Sequence, residues 1–70
     1  MNQTQYTMIP VNSSAIRAVG YDVYTLILSV EFHTGKVYDH PGVPHWVYDG
    51  LMRAPSKGAY YSRYIRGKYK

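Results

Sequence analysis

No cysteine occurs in the chain, which excludes disulfide staples and thiolate metal sites alike. No apolar run approaches the ~20 residues that a membrane-spanning helix requires. The N-terminus, MNQTQYTM, lacks the charged start and apolar core of a secretory signal. Together these absences lead to the expectation of a cytoplasmic protein with no membrane partner. Gly-rich phosphate loops are missing too: Gly20 and Gly42 are isolated, and Lys57-Gly58 is not a P-loop. No Gly-x-Ser-x-Gly elbow or comparable nucleophile constellation occurs. The acids Asp22, Glu31, Asp39 and Asp49 are scattered over different segments, so no acid/base pair is indicated. His33, His40 and His45 lack a firm third ligand at metal-binding spacing. The expectation is therefore a non-enzymatic domain with no cofactor and no metal.

The absence that says most is that of acids from the last third. From Arg53 to Lys70 the chain carries six cations, Arg53, Lys57, Arg63, Arg66, Lys68 and Lys70, and no carboxylate. Residues 1–50 hold all four acids against Arg17 and Lys36, a net charge of −2; residues 51–70 carry +6, and the two recover the formal +4. Such sign asymmetry points to a directional basic surface and an anionic partner. Four of the nine tyrosines, Tyr60, Tyr61, Tyr64 and Tyr69, lie among these charges. Cations interleaved with π-faces suit a phosphate backbone and its bases. The same pattern also fits an amphipathic terminal helix whose basic side is only solvated.

Seventy residues make one domain with a small core, worth about 3–5 kcal/mol of net stability. Self-association is a common remedy, so a homo-oligomer is a candidate state. Tyrosine supplies most of the aromatic fraction, and the core is expected to recruit tyrosine rings. Trp46 is expected in the core or at its rim.

Residues 1–11 read as a flexible arm and 12–70 as a single domain. Ser13-Ser14 reads as a hydroxyl pair capping a turn before the first strand. In that strand Ile16, Ala18 and Gly20 alternate with Arg17, Val19 and Tyr21. After a turn at Asp22-Val23, Tyr24 to Phe32 gives the clearest strand signal: Leu26, Leu28, Val30 and Phe32 share one face, which should meet the core. His33-Thr34-Gly35 reads as a hairpin loop, and Lys36 to His40 as the third strand, ended by Pro41-Gly42. Val43, Val47 and Leu51 recur at helical spacing in a first helix that Pro55 ends. Gly50 weakens it by about 1 kcal/mol, a cost that close packing against the sheet would explain. Ser56 caps a second helix over about Lys57 to Arg66, with Gly58, Tyr61 and Ile65 docking and Tyr60, Arg63 and Tyr64 facing a partner. The fold expected is α+β: a three-stranded antiparallel β-meander followed by two C-terminal helices packed on one face (β-β-β-α-α).

The strings NSSAIRAVGYD, LSVEFHTGKVYDHPGVP, VYDGLMRA and SKGAYYSRYIRGKY together resemble the KTSC domain, over roughly residues 12–69. That family takes its name from the C-terminus of certain lysyl-tRNA synthetases and also includes free-standing bacterial and phage proteins. The resemblance implies RNA binding as a candidate role, by association with a tRNA synthetase. Similar proteins tend to carry a Tyr-x-Tyr pair in the third strand; here the positions read Tyr38-Asp39-His40. The nucleic-acid-binding candidates are therefore Lys57, Tyr60, Arg63, Tyr64, Arg66 and Lys68, with Tyr38 and His40 added by the resemblance. The expected function is RNA or single-stranded nucleic-acid binding through the C-terminal basic-aromatic surface. Two alternatives remain open: a homo-oligomer that sequesters a small nucleotide, and a protein-interaction module using an open sheet edge or the Trp46 region.

Overall fold

A computed structural model describes residues 7–69. It contains four strands, β1 (Ile9–Pro10), β2 (Ile16–Asp22), β3 (Ile27–Phe32) and β4 (Val37–His40), all antiparallel in the order β1-β2-β3-β4. Two helices follow. The first, α1, spans His45–Arg53; the second, α2 (Lys57–Tyr60), runs directly into one π-helical turn (Tyr61–Ile65).

The expected three-stranded meander is thus incomplete, because the sheet has a fourth strand at its start. Ile9 pairs with Val19 and Pro10 with Ala18, and the Val11 amide donates to the Arg17 carbonyl. A two-residue strand shows no alternation to detect. Pro10 is tolerated there because an edge strand leaves half its donors unused. Residues 1–6 of the proposed arm lie outside the described residues.

Within β2 the pairing slips. Ile16 faces Phe32 and Ala18 faces Glu31, so Arg17 is the extra residue of a bulge. The bulge brings Ile16 and Val19, three positions apart, onto the same face, both fully buried. Ala18 and Gly20, read from the sequence as alternating with Val19, are buried as well, so Ala18 to Gly20 shows no exposed–buried alternation. β3 behaves as its alternation demands at Leu28 and Val30, which are fully buried, but it begins only at Ile27. Leu26 is in the preceding turn at φ 62 and 38% exposed, not on the core face. Asp22 organises that turn: its carboxylate accepts from the amides of Tyr24 (2.9 Å) and Thr25 (3.4 Å). The Tyr24 hydrogen bond is the main reason its acidity is raised.

The core forms where Ile16, Val19, Leu28 and Val30 meet Val43, Leu51, Tyr61 and Ile65. Both helices therefore lie on one face of the sheet, as expected. Val43 precedes α1; its amide donates to the Leu26 carbonyl and its carbonyl accepts from the Tyr21 hydroxyl at 2.6 Å. Trp46 is not in the core: it is 66% exposed, edge-on to His45.

Gly50 serves the contact between the helices, not one with the sheet. A Cβ added there would overlap the Tyr60 ring and hydroxyl. That hydroxyl is held by the Val47 carbonyl at 3.1 Å, so the ring cannot step aside without losing a hydrogen bond. Gly50→Ala should then destabilise the domain by roughly 1 kcal/mol, because overpacking outweighs the gain of about 1 kcal/mol in helix propensity. In a Tyr60→Ala background the same change should stabilise, and urea unfolding of the four proteins reads the sign reversal. An unchanged sign would remove Tyr60 as the reason for glycine.

Candidate nucleic-acid interface

A groove of about 680 Å³ opens between the β3–β4 hairpin and the second helix. Gly35 allows the tight hairpin: it adopts φ 95, and its amide donates to the Phe32 carbonyl at 2.9 Å. On the opposite wall, Gly58 lets the helix approach the Ser14-Ala15 segment, where a Cβ would meet that of Ala15 at 3.3 Å. Ser13 shapes this segment, its hydroxyl accepting from the amides of Ala15 (3.2 Å) and Ile16 (3.1 Å). The expected turn cap is found there.

Aromatic rings make up much of the lining. Phe32 packs edge-to-face against Tyr38 (centroids 5.8 Å) and Tyr61 (5.2 Å). Tyr61 in turn meets His40 at 5.4 Å. His40 is 8% exposed, and both ring nitrogens are engaged. Nδ1 lies 2.8 Å from the Tyr69 carbonyl, which can only accept, so Nδ1 carries a proton and donates. Nε2 lies 2.9 Å from the Tyr61 hydroxyl. Burial pushes the Tyr61 phenol above the usual tyrosine range, opposed in part by the nearby Arg66 guanidinium.

Charge at the groove has one sign. Lys36 and Arg66 line it, and among the described residues no carboxylate does. Among the described residues the one ion pair is Arg17–Glu31 at 3.7 Å, which leaves Lys36 and Arg66 without an acidic partner. Ser14, Thr34 and Ser62 add hydroxyls to the lining.

The structure divides the residues singled out from sequence. Tyr38, 47% exposed, and Arg66 line the groove, with His40 in its wall. Lys57 and Tyr60 turn to α1 instead: Lys57 Nζ donates to the Ala54 carbonyl at 3.0 Å, and the Tyr60 hydroxyl to that of Val47. Tyr60 is half-buried, so the expected free face of Tyr60, Arg63 and Tyr64 reduces to Arg63 and Tyr64, both exposed. Tyr64 leans on Tyr60 with centroids 4.7 Å apart. Lys68 is exposed beyond the π turn. Sequence reasoning missed Phe32, Lys36 and Ser62 as groove residues and placed Tyr61 only in the core. The one signal available was Lys36 beside Val37-Tyr38, a cation next to an aromatic strand. Among the described residues no three His, Asp or Glu side chains come together, and no helix is long and apolar enough to cross a membrane.

Residues 12–69 match the KTSC domain family. The chain belongs to that family. A KTSC domain protein from Yersinia pestis has the same fold in its crystal structure, with a TM-score of 0.90 and 34% identity over 93% of this chain and 92% of that one. An uncharacterised protein of Stutzerimonas stutzeri is 33% identical over 61 residues, 87% of this chain and 86% of its own length. The lysine–tRNA ligase of Nostoc punctiforme is 35% identical over 65 residues, and that of Trichormus variabilis 37%. Each of these alignments covers 93% of this chain but only 12% of the ligase.

Proposed function

We propose that this KTSC domain is a small binding module for single-stranded nucleic acid, RNA foremost. The observation that carries the reading is the groove in which aromatic rings and two cations converge with no acid among the described residues. Rings supply stacking worth on the order of 1–3 kcal/mol per base, and cations supply a salt-sensitive grip on phosphate. Arg63, Tyr64 and Lys68, exposed on the same C-terminal segment, extend the basic-aromatic surface. Similarity to a segment of proteins named lysine–tRNA ligase favours RNA over DNA.

The test is fluorescence anisotropy with a labelled single-stranded RNA across a salt series. With about three phosphates engaged, log affinity should fall against log salt with a slope near −2. Replacing Arg63 and Arg66 together by alanine should weaken binding to all sequences alike. A flat salt response, or a loss confined to one sequence, would reject this reading.

A further inference from the structure

We propose that the groove is a mononucleotide site, in which one unstacked nucleobase lies against Tyr38 and Phe32 and its phosphate is held by Arg66 and Lys36. The ligand class rests on the nucleic-acid reading above. Beyond that reading, the groove residues are assigned one base and one phosphate.

Size is the first support. A groove of about 680 Å³ falls within the roughly 300–1,000 Å³ typical of small-molecule sites. Such sites are mostly apolar with a few placed polar groups, and here Ser14, Thr34 and Ser62 supply hydroxyls able to meet a base edge or a ribose. Ring geometry is the second. Tyr21 and Tyr48 stack face to face at 4.6 Å and 9°, so each has spent one face on the other. Tyr38 meets Phe32 at 72°, an edge-to-face contact that spends no pair of faces, and Tyr38 is half exposed. An unstacked aromatic surface beside a polar rim is what a planar base requires.

Charge is the third. Lys36 comes from the β3–β4 connection and Arg66 from the end of the π turn, 30 positions apart in sequence, yet both line one groove. Neither has an acidic partner among the described residues. A guanidinium binds phosphate through paired donors, and a lysine adds a mobile charge. The wall is already locked: Tyr61 and His40 satisfy each other and the Tyr69 carbonyl, so a ligand need not order them.

The experiment is an NMR titration of the isotope-labelled protein with AMP, UMP, adenosine, inorganic phosphate and a short single-stranded RNA. A nucleoside monophosphate should shift the amides of Phe32, Lys36, Tyr38, Ser62 and Arg66 at 1:1 stoichiometry and compete with the RNA. Adenosine and phosphate alone should each bind at least about tenfold more weakly, since each lacks one half of the contacts. Tyr38→Ala and Arg66→Gln, at exposed positions that the fold tolerates, should each weaken AMP about tenfold, whereas Arg63→Gln should leave AMP unchanged and weaken only the RNA. RNA binding that survives Tyr38→Ala and Arg66→Gln, with AMP neither binding nor competing, would overturn the groove assignment and leave the nucleic-acid reading standing. Binding of an acidic peptide to the groove, with no response to any nucleotide or RNA, would overturn both.

Discussion

Ile65→Ala is expected to unfold a large fraction of this domain in water at 25 °C. Ile65 is fully buried in the π-helical turn and packs into the core with Leu51 and Tyr61. Truncating a buried isoleucine costs about 2–5 kcal/mol, since lost burial and the cavity left behind add together. A domain of this size holds only about 3–5 kcal/mol in reserve. Leu51→Ala, at a fully buried position on α1, should cost as much. By contrast, Arg63→Ala should stay within about 0.5 kcal/mol of the parent, because its side chain is exposed. Urea unfolding followed by circular dichroism checks all three. An Ile65→Ala protein with an unshifted midpoint would mean that the π turn does not seal the core.

His40→Phe should cost about 1–3 kcal/mol, although it keeps an aromatic ring in a buried position. The loss comes from two groups left behind. The Tyr61 hydroxyl would lose the imidazole Nε2 at 2.9 Å, and the Tyr69 carbonyl would lose Nδ1–H at 2.8 Å. Both hydrogen bonds bridge distant parts of the chain, 21 and 29 positions apart, so the change should also loosen the C-terminal segment from β4. Amide exchange near Tyr69 should accelerate more than exchange in β2. Tyr61→Phe removes the other partner of the same bond, so the double variant should lose less than the sum of the two single losses. Strict additivity would show that the hydroxyl and imidazole do not act as a pair.

Legibility in the sequence followed the range of the interactions concerned. Leu28 and Val30 were readable as core because strand alternation is a local property of the backbone. Ser56 was readable as a helix cap for the same reason; its hydroxyl accepts from the Ala59 amide at 3.4 Å. The Arg17 bulge was not readable: it exists only in the pairing of β2 with β3, and it brings Val19 onto the core face beside Ile16. β1 was missed because two residues carry no period, and its pairing partner lies beyond a turn. Gly50 looked like a local weakness until Tyr60, ten positions later, was seen against it. The candidate site divides in the same way. Arg66 and Tyr38 could be named from type and neighbourhood, but Lys57 and Tyr60 share those attributes and face α1.

The sequence by itself determined the family, the α+β class, the absence of cysteine chemistry and a C-terminal third of uniform positive charge. These follow from composition, order and periodicity, all of which survive in one dimension. Only the tertiary structure decided that Lys36 and Arg66 share a groove, that His40 is a buried strut and not an exposed ring, and that the sheet has a fourth strand. Each of these depends on the registration of segments far apart in the chain, which is set by packing and cross-strand hydrogen bonds and leaves no periodic trace in the residues themselves.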